Sequence, residues 1–226
     1  MFFFIIILTM LLSIYASWKV SSNYQKYSKV PASSGMTGAE VAQRILDLNN
    51  IRDVSIHSSQ GELVDHYDPS NRRLVLSESN YYGQSVAALG IAAHECGHAI
   101  QHQQLYAPLQ WRMAAVGITT MAGTIIPIVG FAGMLFMPKL AIPLLAIAFG
   151  IVMVFQLVTL PVEFDATARA KKILLATGAV TPGAEFDAMN KVLSSAALTY
   201  VAAFLSALAQ FAHYAFLLLG QKQEEE

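Results

Sequence analysis

The sequence has few charged residues and almost no cysteine, and each shortage limits what the protein can be. Charged residues make up 13% of its 226 residues, whereas soluble domains average about 25%. The single cysteine, Cys96, excludes an internal disulfide and fits a reducing compartment. The net charge of −1 lacks the basic excess that favours nucleic-acid binding. Because 55% of the residues are apolar, the composition indicates a membrane protein.

Four apolar runs are candidates for membrane-spanning helices, which need about 20 mostly apolar residues. The first run is short, and a signal peptide is the alternative, but it lacks a basic start and a small-x-small cleavage site. The second and third runs form a helical hairpin whose turn, MPKL, contains Pro138. The predicted organisation is an anchor at 1–18, a soluble segment at 19–112, the hairpin at 113–160, a second soluble segment at 161–196, a spanning helix at 197–219 and an acidic tail at 220–226.

The distribution of basic residues predicts the orientation in the membrane. Residues 19–112 and 161–196 contain twelve of the 14 lysines and arginines, and only Lys139 and Lys222 lie elsewhere. Positively charged loops stay on the cytoplasmic side. We therefore expect both soluble segments in the cytoplasm and both termini outside.

The soluble segments contain short helices and strands. Residues 19–34 are a linker or an extension of the first helix. A capping box at Thr37 and Glu40 starts the next helix, AEVAQRILDLNN. The strands can pair as a hairpin or within a small sheet, and the remaining predicted elements are strands at 53–57 and 72–77 and a helix at about 84–104.

Two histidines four residues apart mark the most informative segment, HECGH at 94–98. Helical side chains at this spacing lie about 40° apart around the axis and about 6 Å along it. His94 and His98 can therefore both reach one zinc ion at about 2 Å. Glu95 lies about 100° round the helix, so it is placed to take a proton from a zinc-activated water rather than to bind the metal. Gly97 allows another segment to pack closely beside the metal.

A third ligand is needed, and the sequence offers two candidates. His102 continues the four-residue spacing but lies about 12 Å along a straight helix from His94, so a polar supporting role is favoured. Glu163 follows the third apolar run in PVEFDATARAKK, and the predicted topology places it on the same side of the membrane as His94. A buried metal would explain this acid, with Asp165 as hydrogen-bond partner of a ligand histidine. A helix starting at Pro161, whose N-terminus favours acids, explains it equally well.

Long stretches of the sequence resemble a known family. They are SSGMTGAEVAQRIL, GELVDHYDPSNRRLVLSESNYYGQSVAALGIAAHECGHAIQH, LPVEFDATARAKKIL and SAALTYVAA. In this order, over nearly the whole chain, they resemble the neutral zinc metallopeptidases of bacterial membranes, the YugP family, and more distantly the HtpX and CAAX-prenyl membrane proteases. The resemblance implies a gluzincin-like peptidase of the bacterial inner membrane, with Glu163 as third zinc ligand. The aspartate expected four residues later is Thr167 here, and the acid is Asp165 instead.

Three other residues have alternative explanations. Tyr200, at the start of the fourth run, could donate to an oxyanion, or it is a membrane-interface tyrosine. Arg169 could pair with Asp165 or stabilise the oxyanion, or it is a surface arginine with its stem along apolar groups. Cys96 is predicted to be a small packing residue.

These features predict a mainly α polytopic membrane protein, with about four transmembrane helices and a small α+β zincin-like domain around the HExxH helix. Its expected function is hydrolysis of membrane-associated proteins or peptides, with the substrate added as a strand beside residues 72–77. The alternative is a non-catalytic zinc-binding or scaffold protein, but such a protein needs no base like Glu95. The expected partners are a peptide or membrane-protein substrate and the lipid bilayer, without nucleic acid; the oligomeric state is left open.

Overall fold

The protein is mainly α-helical, with one small sheet, as the sequence predicts. The computed structural model describes residues 2–62 and 64–224, so Glu225 and Glu226 of the predicted acidic tail lie outside the described residues. The chain forms two compact units. The helical unit comprises Met1–Ala16, Gln110–Pro161 and Thr199–Glu226, and the mixed unit comprises Ser17–Leu109 and Val162–Leu198.

Four helices are long and apolar enough to cross a membrane, which agrees with the four predicted spans. They are α1 (Phe2–Tyr27), α5 (Ala107–Ile128, extended by a π-helical turn at Val129–Gly133 and by α6 at Met134–Phe136), α7 (Pro138–Ala176) and α8 (Ala184–Glu224). The observed turn of the hairpin is shorter than the predicted MPKL. The break lies at Met137, and Pro138 already begins α7, a position where its missing N–H is not needed.

The helices run further than the apolar runs do. Helix α1 continues to Tyr27, so the first part of 19–34 is a helix extension. Helix α7 continues through Pro161 as far as Ala176. The prediction that a helix begins at Pro161 is therefore wrong. Because Glu163 lies inside a continuous helix, a helix N-terminus does not explain this acidic residue.

The mixed unit contains a three-stranded sheet in the order β1–β3–β2, with β1 at Ser55–Ser59, β2 at His66–Asp68 and β3 at Arg73–Ser77. Strand β1 pairs parallel with β3, and β2 pairs antiparallel with β3. The sequence left a hairpin and a small sheet open for the two predicted strands, and the structure has the small sheet. A hairpin is ruled out because the parallel pair needs a longer connection. Both edges of β3 are already paired, so the prediction that a substrate strand adds beside 72–77 is wrong.

Helix α4 (Val86–Gln103) is the central element of the mixed unit. Helix α2 (Gly38–Leu48) packs on it and begins with the predicted capping box at Thr37 and Glu40, and the short α3 (Glu78–Tyr81) follows β3. Helix α4 has buried residues on nearly all sides, as expected for a helix enclosed by neighbours. Cys96 is fully buried in this core, as predicted for a packing residue.

Candidate metal centre

Helices α4 and α7 bring His94, His98 and Glu163 together, the group that both spacing and resemblance single out. One ligand atom from each residue lies within 4.8 Å of the other two. Glu163 Oε2 lies 3.2 Å from His94 Nε2 and 3.6 Å from His98 Nε2. Glu163 is only 1% exposed. A buried carboxylate between two imidazoles needs a compensating charge or metal, since an isolated buried charge is costly.

Gly97 permits this close approach of the two helices. A Cβ atom at Gly97 would lie 2.8 Å from the carbonyl oxygen of Ala166 and 3.0 Å from its Cα. Neither backbone atom can move aside without moving α7. The absence of a side chain at Gly97 therefore allows α7 to pass near enough to α4 for Glu163 to reach both histidines, as the sequence predicted.

A buried amide fixes the ring of His98. Gln101 Nε2 donates to the carbonyl of Val162 and to Asp165 Oδ2, at 2.8 Å each. Its Oε1 must therefore be the acceptor that lies 3.0 Å from His98 Nδ1. Since Nδ1 donates this proton, the neutral ring has its lone pair on Nε2, the atom that faces Glu163. Such outer hydrogen bonds orient histidines that bind metals.

Asp165 is linked to His98 only through Gln101. Its carboxylate accepts from Gln101 and from Arg169 Nε, which lies 2.5 Å away. The second guanidinium contact of Arg169 is a 2.7 Å hydrogen bond to Gln104. The predicted pairing of Arg169 with Asp165 is thus present, whereas a direct bond from Asp165 to a ligand histidine is not found: Gln101 stands between them.

Thr167 is the corresponding partner of His94. Its Oγ1 lies 3.1 Å from His94 Nδ1. The resemblance noted in the sequence leads one to expect an aspartate at this position, and the partner of His94 here is a neutral hydroxyl instead. A neutral acceptor raises the basicity of an imidazole ligand less than a carboxylate does.

The electrostatics of the cluster act on His98. Burial lowers the pKa of His98, but its hydrogen bond to Glu163 and the negative charges of Glu95 and Glu163 raise it by more, so the pKa lies above its ordinary value. The negative charge that favours a proton on His98 would also favour a bound cation.

Glu95 lies beside the cluster, and its carboxylate is uncommitted. Among residues 2–62 and 64–224 it has no hydrogen-bond or ion-pair partner, although the residue is only 8% exposed. A carboxylate without a partner is able to accept a proton, as a general base must.

His102 takes part in a different interaction. Its Nδ1 lies 2.9 Å from the hydroxyl of Tyr67 on β2. Burial and the charge of Arg72 lower the pKa of His102, and burial together with the Asp68 charge raises the pKa of Tyr67 to about 12. The contact is therefore a hydrogen bond between a neutral hydroxyl and a neutral imidazole, either of which is able to donate. His102 does not belong to the cluster of potential ligand atoms.

Tyr200 lies on α8 in the helical unit. Its role as an oxyanion donor stays a prediction.

The three side chains fit a zinc ion by geometry and by chemistry. Four-coordinate zinc binds nitrogen and oxygen ligands at about 2.0–2.2 Å, which places the ligands about 3.3 Å apart. The separations of 3.2 Å and 3.6 Å are close to that value. Both Nδ1 atoms have partners, so both Nε2 atoms are directed to the metal position. Two imidazoles and a carboxylate leave one position open, as in catalytic zinc sites.

Sequence reasoning missed Gln101 and the role of Thr167. One signal pointed to Gln101: it lies three residues after His98, on the same side of the helix, and it is a polar residue in a helix that is otherwise mostly apolar. No local signal pointed to Thr167, because its contact depends on how α7 crosses α4.

Comparison with known proteins identifies the family of the chain. Residues 2–219 match the family described as "putative neutral zinc metallopeptidase". The chain is 45% identical over 224 residues to the "putative membrane protease YugP" of Bacillus subtilis (strain 168), and the matched region covers 99% of each protein. No solved structure gives a significant match. Since the family model spans nearly the whole chain, this protein belongs to the putative neutral zinc metallopeptidase family.

Proposed function

We propose that the chain is a membrane-embedded zinc endopeptidase in which His94, His98 and Glu163 hold the metal and Glu95 is the general base. The convergence of two imidazoles and a buried carboxylate from separate helices carries this proposal. An unpartnered glutamate directly follows the first histidine. A site that only bound zinc would have no use for that fourth group.

The roles follow from the position of each group. Zinc, when bound, would polarise the carbonyl of the bond to be cut and increase the acidity of water. Glu95 would accept the proton of the attacking water and later deliver it to the leaving amine. Gln101 and Thr167 would keep both imidazoles in the tautomer and orientation that ligation requires.

The substrate is a peptide or a membrane protein close to the bilayer. Glu163 lies on α7, a helix long and apolar enough to span a membrane, so one of the three proposed ligands belongs to a candidate spanning helix. The central strand β3 has no edge for a substrate strand, but one edge each of β1 and β2 has no partner strand in the described sheet. These edges are where an extended peptide could add.

The proposed topology has four spans in the bacterial inner membrane. The twelve basic residues of 19–112 and 161–196 favour a cytoplasmic position for these segments and an outside position for both termini. Reporter fusions at the C-terminus and within residues 177–183 would give opposite signals if this orientation is correct.

The decisive experiment measures zinc content and peptide hydrolysis on the same detergent-purified samples of wild type, Glu95→Gln and Glu163→Ala. We expect about one zinc ion per wild-type chain, loss of zinc and activity in Glu163→Ala, and retained zinc in Glu95→Gln. Activity of Glu95→Gln should fall by about 10²–10⁴-fold, the usual contribution of a general base.

Each other outcome has a defined meaning. Full activity in Glu95→Gln would refute the assignment of the base. Zinc retained in Glu163→Ala with intact activity would refute the third ligand. Zinc in an inactive wild type, tested on casein and on a peptide library, would favour the non-catalytic zinc-binding or scaffold protein.

A further inference from the structure

A cavity of about 370 Å³ opens at the C-terminal end of α4, away from the metal centre. It is bounded by the end of α4, by the loop between α2 and β1 and by the start of β3; the residues that matter here are Arg52, Asp53, Tyr67, Arg72, His102 and Leu105. We call it the arginine cavity. Its volume lies within the range of ligand pockets, about 300–1,000 Å³, and all of its lining belongs to the mixed unit.

Three residues with a left-handed backbone lie at this cavity. In the part of the chain that the structure describes, three non-glycine residues have a positive φ: Asn50 at 56°, Arg72 at 48° and Leu105 at 52°. All three line the arginine cavity. Asn50 and Leu105 directly follow the C-terminal caps of α2 and α4, where this conformation commonly ends a helix. Arg72 lies just before β3, so the lining comes from three separate loops.

The charge of the lining is positive. Two arginines and one aspartate give a net charge of +1. Arg72 pairs with Asp53, which neutralises that acid. Arg52 is exposed and has no ion pair or hydrogen bond with any described residue. One guanidinium at the cavity is therefore available for a ligand.

Neutral donors add to this guanidinium. In the proposed arrangement the hydroxyl of Tyr67 donates to Nδ1 of His102, 2.9 Å away, so the neutral imidazole carries its proton on Nε2, which is available as a donor. An arginine fork and an imidazole N–H suit a carboxylate, whose oxygens only accept hydrogen bonds.

The cavity lies at a fixed distance from the proposed base. His102 follows Glu95 by seven residues on the same helix, which places it within about 20° of the same side and about 10 Å further along the axis. An extended peptide advances about 3.3 Å per residue. A peptide cut beside Glu95 that follows α4 therefore brings its third residue from the cut to the arginine cavity.

We propose that the arginine cavity recognises a carboxylate of the peptide substrate, carried by an acidic side chain about three residues from the bond that is cut. This inference rests on the proposed peptidase function. Arg52 supplies the charge, and His102, held by Tyr67, supplies a neutral hydrogen bond. The site would select substrates without taking part in the chemistry.

A matched pair of peptides tests the proposal with the zinc-loaded full-length chain. The pair is made as two series of peptides. One series carries a single glutamate at each position from five residues before to five residues after the cut, and the other carries glutamine, its neutral equivalent, at the same positions. We expect kcat/KM to favour glutamate by about tenfold at a distance of about three residues on one side, the effect of one charge-assisted contact. Arg52→Gln should abolish this preference and leave the glutamine peptide within about twofold of wild type.

Arg73→Gln is the matched control. Arg73 is the neighbour of Arg72, is exposed, pairs with Asp68 and does not line the cavity. It should keep the preference for glutamate. Arg52→Glu should in turn favour a lysine peptide. Equal behaviour of Arg52→Gln and Arg73→Gln, or cleavage without any preference for glutamate, would overturn the proposal and leave the peptidase function intact.

A binding measurement separates failure of this proposal from failure of the peptidase function. Fluorescently labelled glutamate peptide is titrated into zinc-loaded Glu95→Gln protein, with and without Arg52→Gln. Binding that depends on Arg52, in a protein whose wild type cleaves nothing, would support a carboxylate site and refute the peptidase. Equal binding by both variants would refute the carboxylate site.

Discussion

Two regions of α4 differ in how their polar groups are satisfied. Against α7, the ring nitrogens of His94 and His98 all have partners, and Gln101, the partner of His98, has partners in turn. At the arginine cavity, at the C-terminal end of the helix, Arg52 has no partner among the described residues. The first region fits one small occupant of fixed geometry, a metal ion. The second region is open to an occupant that varies, and four predictions test this contrast.

The largest effect is expected from Gly97→Ala. The added Cβ would meet the backbone of Ala166 at 2.8 Å, so α7 must shift and carry Glu163 away from the histidines. A displacement of about 1 Å at a catalytic site can cost about 100-fold. We expect zinc affinity and hydrolysis to fall by at least that factor, measured by metal titration and by peptide turnover.

Gly90→Ala provides the control on the same helix. Its added Cβ would meet the side chain of Met189, at 2.9 Å from Cγ, and a methionine side chain can change its conformation. Zinc binding should survive in this variant. Loss of zinc in both variants, or in neither, would show that the close crossing at Gly97 does not position the third ligand.

A smaller effect is expected when the histidines lose their partners. Loss of an outer hydrogen bond to a metal ligand costs about 10–100-fold in affinity. The loss of zinc affinity in Gln101→Leu should lie near the upper end of this range, because the change also leaves Asp165 and the Val162 carbonyl without their donor. Thr167→Val should lie near the lower end, since it removes one neutral contact.

Two further variants sharpen this ranking. Thr167→Asp restores the acid that the distant relatives have, and it should raise zinc affinity above wild type. Gln103→Leu changes an exposed amide on the same helix, which donates to Asn49, and should leave zinc affinity within about twofold. A ranking in which Gln103→Leu equals Gln101→Leu would contradict the role of Gln101.

The third effect is a pH dependence due to His98. Its pKa in the metal-free fold is raised above the ordinary value of 6.5. Protonated His98 therefore stabilises the metal-free fold fully below about pH 6.5, and this contribution is lost as the pH rises through the raised pKa. Metal-free protein should melt at a higher temperature at about pH 6 than at about pH 8, and the gain in Tm on adding zinc should be larger at about pH 8.

His98→Gln is the control for the other titrating groups. It should remove this part of the difference in Tm between the two pH values. If wild type and His98→Gln show the same dependence on pH, His98 does not carry the raised pKa.

The smallest effect is expected from changes at the arginine cavity. Tyr67→Phe removes the hydrogen bond to His102 and should cost about 1 kcal/mol of stability. Zinc content should stay at the wild-type level, as it should in His102→Gln. A loss of zinc in either variant would return His102 to the ligand set and contradict the distinction between the metal centre and the arginine cavity.

The contrast also explains what could be predicted from the sequence. His94, Glu95 and His98 lie within one helical turn or so, and helix geometry alone fixes their relative positions. Glu163 needed the family resemblance, because the residues around it do not say which helix it will meet. The sequence offered Asp165 as a candidate partner of a ligand histidine but could not show that Gln101 lies between Asp165 and His98, because that contact depends on how two helices cross.

The sheet was predicted only in part, for a related reason. The sequence left a hairpin and a small sheet open for the two longer strands, and the structure has the small sheet. Strand β2 has three residues, too few for a periodic pattern to emerge, so the pairing of both edges of β3 could not be predicted. The full length of α7 could not be read from hydropathy either, because the helix continues after its apolar run ends.

The distance along the chain between the ligands has a consequence for biosynthesis. His94 and His98 are made early, but Glu163 follows 65 residues after His98 and lies beyond the apolar part of α7. With this ligand set, a growing chain that has not yet reached Glu163 on α7 carries two of the three proposed metal ligands. Under the proposed peptidase function, activity would begin only after the ribosome has delivered this helix, so that synthesis itself times the onset of proteolysis.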